Sequence, residues 1–282
     1  MTPNADIRAA ESLLAFWADA GVEAAYADAP IDRMAEGLAQ LAARRAAVSA
    51  VVAPSAARVP VKPAGPDISE ALAQARALAA AAPDLEALAA AIAAFDGCAL
   101  KFEGASQSVF SRGRPDAPLM IIGEGPGGDE DRQGEPFVGR AGKLLDRMLT
   151  AAGLQDQVFI TNTVFWRPPG NRTPTPAEQA VCAPFLHRAI QLVGPRMLLL
   201  AGAAAAKSVL RSNEGILAMR GRWFDWKAEE GDLELPALPT LHPAFLLRQP
   251  AAKKKAWADM LMLSERLSRP HRPPEEGAQE GA

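Results

Sequence analysis

Residues 117–131 read APLMIIGEGPGGDED, and the fold turns on how this stretch divides. Leu119 to Ile122 form an apolar run without polar alternation, closed by Gly123. Such a run predicts a strand buried on both faces, as in a parallel sheet. The pattern recurs downstream at 158–164 (VFITNTV), 197–201 (MLLLA) and 237–241. Helices are predicted over 142–152, 175–193, 203–210 and 251–267. The third residue after Thr175 is Glu178, with Pro176 between them, which is the signature of a capped helix start. Alternating strands and helices predict an α/β fold, a three-layer α/β/α sandwich with a short, mainly parallel central sheet. Ligands of such sheets sit beyond the carboxyl ends of the strands. GEGPGGDED, Asn162 and HPAFLLR (242–248) all fall at those ends.

The flanking sequence divides by composition. Residues 1–45 predict an N-terminal helical extension, with Ile7, Leu13, Leu14 and Trp17 at helical spacing. Residues 46–67 are rich in Ala, Val and Pro and read as a linker. The domain proper is assigned to 68–268 and opens with an Ala-rich helical stretch broken at Pro83. Residues 269–282 read as a disordered tail.

Among 282 residues, 49% are hydrophobic, enough for one sizeable core. No apolar window is long enough to span a bilayer, and MTPNADIRAAES lacks the features of a secretory signal. With only Cys98 and Cys182, no disulfide framework is expected, and a reduced cytoplasmic setting is. The chain is expected to be a monomer. The formal net charge is −3, but residues 132–266 carry eighteen Lys/Arg against twelve Asp/Glu. A local excess of six cations suits phosphate contact, for which whole-chain charge matters less.

Gly123, Gly125 and Gly128 satisfy G-x-G-x-x-G after a strand, the spacing of a dinucleotide-binding turn. Its context argues against that reading. A diphosphate site needs a helix N-terminus at once, whereas Pro126 and the carboxylates Asp129, Glu130 and Asp131 follow, and no helix is predicted before about residue 142.

Three segments, GEGPGGDEDRQGEPFVGRAGKLLDRML, TNTVFWRPPGNRTPTPAE and LHPAFLLR, together resemble the landmark segments of the family 4 uracil-DNA glycosylases. The resemblance covers residues 97–267. It implies an enzyme that flips uracil out of DNA and hydrolyses its N-glycosidic bond, leaving an abasic site. Uracil-containing DNA, single- or double-stranded, is the implied partner.

On that alignment Phe137 stacks on uracil, and Asn162 reads N3–H and O4. His242 donates to O2, where negative charge gathers as the base leaves. Cytosine reverses the Asn162 pattern and would leave buried polar groups unpaired. Glu124 and Glu130 are the carboxylates able to position water, Glu124 being favoured for contacts around the base, with Gly125 supplying a backbone N–H. Leu246, Leu247 and Arg248 are expected to enter the gap left by the flipped base. Arg167, Arg172, Arg220, Arg222, Lys253, Lys254 and Lys255 are candidate phosphate contacts.

Members of that family typically hold a [4Fe–4S] cluster on four cysteines. Here Cys98 and Cys182 match two ligand positions, and Phe95 and Trp166 stand at the other two. Because thiolate clusters take four protein ligands, no cluster and no other cofactor or metal is expected. Other readings are a non-catalytic uracil-DNA-binding module, a glycosylase of altered base preference and a nucleotide-binding protein using the glycine loop.

Overall fold

The computed structural model describes residues 68–228 and 231–269. The helical segment and linker expected over 1–67, and the tail beyond 269, lie outside the described residues.

The described chain opens with α1 (Ile68–Ala81) and α2 (Leu85–Ala94), then β1 (Ser111–Gly113) and β2 (Leu119–Gly123). Next come α3 (Gly128–Gln133), α4 (Arg140–Ala151) and β3 (Val158–Asn162). They are followed by α5 (Pro176–Val193), β4 (Met197–Ala201), α6 (Ala203–Leu210) and α7 (Ile216–Met219). The last elements are β5 (Phe224–Lys227), β6 (Glu234–Thr240), α8 (Pro243–Arg248) and α9 (Lys253–Ser268).

The strands form one sheet in the order β1-β3-β2-β4-β6-β5. The four central strands run parallel, and β1 and β5 add antiparallel edges. Every residue of β2, β3 and β4 is buried. Alternation along each strand serves two separate cores, because successive side chains point to opposite faces. Met120, Ile122, Leu198 and Leu200 face a core with Phe185 and Ile190 of α5 and with α1 and α2. Leu119, Ile121, Ile160 and Leu199 face a second core with Leu145 and Leu149 of α4 and Met260 and Leu263 of α9. Burying each such side chain contributes roughly 1.5–3 kcal/mol, so the three-layer sandwich follows from these uniformly apolar strands.

The Pro83 break is present: Asp84 caps α2 by accepting from the Ala87 N–H at 2.8 Å. Thr175 and Glu178 form the expected reciprocal cap on α5. Among the described residues, no helix is long and apolar enough to cross a membrane.

The sequence reading misses the short elements. The edge strands β1 and β5 are three and four residues long, too short to show alternation. The helices α7 and α8 have four and six residues, too few for a helical period. The miss that matters most is α3, which begins fourteen residues before the helix expected at 142. Its first turn carries Asp129, Glu130 and Asp131, and carboxylates there are favoured by the helix dipole. The acidic run is therefore a helix start rather than an exposed turn.

One buried charge ties the second core together. Asp259 of α9 is fully buried, pairs with Arg220, and accepts from the Thr240 hydroxyl at 2.7 Å. That joins α9 to the end of β6, immediately before the loop bearing His242.

Candidate functional site

Three loops at the carboxyl ends of β2, β3 and β6 line a cavity of about 480 Å³. Glu124, Gly125, Glu130, Phe137, Asn162, Arg172, His242 and Arg248 all line it. The residues expected to surround a base are thus brought together, although they span more than a hundred positions of sequence.

Asn162 is the last residue of β3 and is 1% exposed. Its amide makes no hydrogen bond to any described residue, yet it borders the cavity. Its carboxamide opens on the cavity wall and can meet a ligand that offers both a donor and an acceptor. Gly123, paired with Asn162 across β2 and β3, makes the close approach possible. A Cβ at Gly123 would collide with the Asn162 Oδ1 and the Phe137 ring.

His242 is the N-cap of α8, and the Ala244 N–H donates to its Nδ1 at 3.1 Å. That bond requires Nδ1 to be unprotonated, so the neutral ring carries its proton on Nε2. Burial, reinforced by the positive charge of Arg248 and opposed by Glu130, pushes its pKa down to about 4. At neutral pH the ring is an uncharged donor. Phe137 stacks on it with ring centroids 5.6 Å apart and planes 29° apart. Two van der Waals gaps need roughly 7 Å, so no base fits between these rings. A base stacks on the other face of Phe137 or lies against its edge.

Phe137 has φ of 56°, in the left-handed region that costs a non-glycine residue about 1–2 kcal/mol. Two side chains hold it there. Glu130 Oε1 accepts from the N–H groups of Val138 at 3.0 Å and Gly139 at 2.9 Å, and its Oε2 accepts from Gly127 at 3.1 Å. Arg112 Nε donates to the Pro136 carbonyl at 2.8 Å, and its Nη2 donates to the Phe137 carbonyl at 3.2 Å. The same Nη2 pairs with Asp146 of α4 at 2.6 Å. Gly142 completes the turn, since a Cβ there would overlap the Phe137 carbonyl.

This arrangement changes several sequence-based assignments. With both oxygens committed to backbone N–H groups, Glu130 organises the loop and is not a carboxylate free to hold water. The N–H of Gly127 at the start of α3 is taken by that same side chain, which removes the rationale for a diphosphate there. Leu246 is fully buried with Leu144, Leu241 and Ala256, so it is part of the core and does not reach into a DNA stack.

Several cations read as phosphate contacts have internal partners. Arg220 pairs with buried Asp259, Arg222 with Glu214 at 3.0 Å, and Arg172 with Glu178 and Glu103. Arg167 Nε donates to Asn171 at 2.8 Å. Lys253, Lys254 and Lys255 are exposed at the start of α9. Sequence reasoning misses Arg112 and Asp146. Arg112 lies outside the landmark segments, Asp146 lies within the first of them but carries no expected role there, and their pairing depends on the edge strand β1.

Cys98 and Cys182 are fully buried free thiols with sulfurs 4.0 Å apart. Phe95 and Trp166 are equally buried, with ring centroids 6.5 Å apart. Phe95 also meets Phe185 edge-on at 5.2 Å. Two sulfurs already in contact leave no room for an iron–sulfur cube between them, and aromatic rings stand at the other two ligand positions. The residues present do not fit a four-thiolate cluster.

The sequence profile of the uracil DNA glycosylase superfamily matches residues 110–261. A type-4 uracil-DNA glycosylase of Sulfurisphaera tokodaii is 38% identical over 173 residues, 59% of this chain and 78% of that protein. One from Thermotoga maritima is 41% identical over 142 residues, 50% of this chain and 71% of its own length. One from Archaeoglobus fulgidus is 35% identical over 156 residues, covering 54% and 78%.

Replacing Glu130 by Ala should orphan three backbone N–H groups and lower stability by about 2–3 kcal/mol, measured by urea denaturation. A decrease below about 0.5 kcal/mol would mean that other contacts hold the loop.

Proposed function

The chain belongs to the uracil-DNA glycosylase superfamily, and we propose that it excises uracil from DNA by hydrolysis of the N-glycosidic bond, using the cavity around Phe137, Asn162 and His242. The observation that carries this reading is the unpaired amide of Asn162 on the cavity wall, beside a neutral histidine whose donor nitrogen is fixed.

A base within a duplex is out of reach, so the target is extruded into the cavity or taken from a single strand. Phe137 offers a flat face for stacking, worth about 1–3 kcal/mol. Asn162 accepts from N3–H and donates to O4. Cytosine presents the opposite pattern at both positions, and the mismatch costs on the order of 1–3 kcal/mol for each unpaired group.

As the bond between N1 and the sugar breaks, its electron pair stays with the base and spreads onto O2. The His242 Nε2–H donates to that oxygen, a fixed dipole aimed where charge develops. The neutral imidazole, unprotonated at Nδ1, holds its one Nε2 proton and stabilises the anion without transferring it. The sugar acquires oxocarbenium character, and a water oxygen adds to C1′ as the base departs. Glu124, the cavity carboxylate with no hydrogen bond from its side chain among the described residues, is the candidate to orient that water and receive its proton. Arg248 and Leu247 fill the gap in the stack.

The same reading has the enzyme work without an iron–sulfur cluster. The packed aromatic rings pin the loops after α2 and β3 by apolar burial instead.

An oligonucleotide with one uracil, incubated with the protein and then treated with alkali, should break at that position. A retarded gel band without cleavage would favour the non-catalytic reading, and cleavage at hypoxanthine in preference to uracil the altered-base reading. His242→Ala should lower kcat about 10²–10³-fold. Because His242 titrates near pH 4, excision should keep its rate as pH falls through 6.5 and lose it only near 4. An acid limb near pH 6.5 would contradict a desolvated neutral donor. Purified protein should contain no stoichiometric iron or sulfide by elemental analysis, and one [4Fe–4S] per chain would overturn the cluster-free assignment.

A further inference from the structure

The segment that carries His242 is closed at its base by one carboxylate. Thr240 ends β6, and Asp259 lies in the second turn of α9. Between them run His242, α8 and the Lys253–Lys255 stretch. The Thr240 hydroxyl donates to Asp259 Oδ2 at 2.7 Å, so the two ends of residues 241–258 meet.

A carboxylate wholly out of water has to be paired. Arg220, which follows α7, supplies the pairing: its Nε donates to Asp259 Oδ2 at 3.0 Å and its Nη2 to Oδ1. The same Nη2 donates to the Lys255 carbonyl at 2.8 Å, so one guanidinium grips α9 at two points. Gly221, with φ of 71°, carries the chain past this pair. Its N–H donates to the Pro239 carbonyl at 3.3 Å, and a Cβ there would stand 3.1 Å from Asp259 Oδ1. Joining α9 to the sheet does not require any of this, because Met260, Leu263 and Leu267 already do so by apolar burial. A buried ion pair is a poor source of stability, yet this one is bonded to the strand end two residues before the imidazole.

The strand end passes its position directly to that ring. Only Leu241, itself buried, separates Thr240 from His242. The Gly202 N–H donates to the Thr240 carbonyl at 2.9 Å. Gly202 has φ of 98° and lies bare under the histidine, where a Cβ would meet His242 Cβ at 2.9 Å. Thr240 is thus fixed by its hydroxyl on one side and by its carbonyl on the other. With Phe137 over the ring and the Ala244 N–H on Nδ1, the direction of Nε2–H follows from where Thr240 is held.

We propose that Asp259 is a positioning residue for uracil excision: through the Thr240 hydroxyl it holds the strand end that aims His242 Nε2 at the base. What the donor is aimed at rests on the uracil-excision reading; the placement of the ring does not. A donor stabilises a developing anion by its direction and distance, and a misplacement of about 1 Å can cost on the order of 10²-fold in rate. Base stacking and the Asn162 contacts survive such a shift. The charges that act on the ring are Arg248 of α8 and Glu130 of α3, with Glu124 and Arg172 on the same cavity wall. Asp259 acts through the backbone.

The test uses the full chain and the variant Thr240→Val, which keeps nearly the same shape, leaves the Asp259–Arg220 pair and removes the hydroxyl. Thr240→Ser keeps the hydroxyl, and Asp259→Asn removes the carboxylate charge. Excision of a uracil oligonucleotide across pH reads kcat, KM and the acid limb. Proton NMR titration of the His242 imidazole, assigned by its loss in His242→Ala, reads placement without turnover, and urea denaturation reads the fold. Thr240→Val should lower kcat by at least about tenfold, with KM within about threefold of wild type. Its His242 midpoint and acid limb should rise together from about 4 towards 6.5, as a displaced ring regains water. Thr240→Ser should return rate and midpoint to the wild-type values, and Asp259→Asn should move the midpoint at least as far as Thr240→Val. A Thr240→Val protein with wild-type kcat and a midpoint still about 4 would overturn the proposal. So would a rate that falls only with the folded fraction while the midpoint holds, or a loss that Thr240→Ser does not restore. Should Asp259→Asn fail to fold, the Thr240 pair decides alone. If wild-type protein excises no uracil while the Thr240→Val midpoint shifts as expected, the excision reading fails and the positioning of His242 stands.

Discussion

The carboxylate of Glu130 accepts hydrogen bonds from the N–H groups of Gly127, Val138 and Gly139. That one side chain closes the loop between β2 and α4 on itself, and the rest of the site leans on the closure. It turns the start of α3 inward and sets the chain entering α4. With Arg112 gripping the Pro136 and Phe137 carbonyls from the opposite side, it holds Phe137 in a backbone conformation the residue would otherwise avoid. Strain of this kind persists only where neighbours over-determine it, and it tends to be found at ligand sites. The ring so placed forms one wall of the cavity and packs against His242. The position of a residue more than a hundred places along the chain is therefore tied to the same clamp.

The central strands are legible in the sequence because they are uniformly apolar, and their order and spacing with the helices leave little freedom in the fold. What escapes such a reading is short or is judged by sign alone. β1 and β5 carry too few residues for periodicity, and β1 matters because it delivers Arg112. The Asp129–Asp131 run reads as exposed charge, whereas it is a helix start whose members face three ways. Asp131 is buried on the Ser106 N–H and hydroxyl, Glu130 clamps the loop, and Asp129 pairs with Arg132. A string of letters gives the charge of a side chain but not its partner.

The same limit explains the arginines. Phe137, Asn162 and His242 stand out because their segments resemble a known family, and they meet at one cavity. Arg172 and Arg220 stand out only for their charge, and each has a carboxylate of its own. Leu246 belongs with the surface by its neighbours in sequence, but a six-residue helix places one of its leucines inward, and Leu246 is that residue. Conversely, Cys98, Cys182, Phe95 and Trp166 are singled out by position alone. Their shared burial gives that departure a physical form: an aromatic plug where four thiolates would be needed.

Selection of one pyrimidine by the Asn162 amide is the claim on which the functional account rests. Calorimetric titration of the protein with free uracil and with free cytosine measures it without DNA, flipping or bond cleavage. The account predicts saturable binding of uracil and none of cytosine at the same concentrations. Equal binding of the two bases would contradict it.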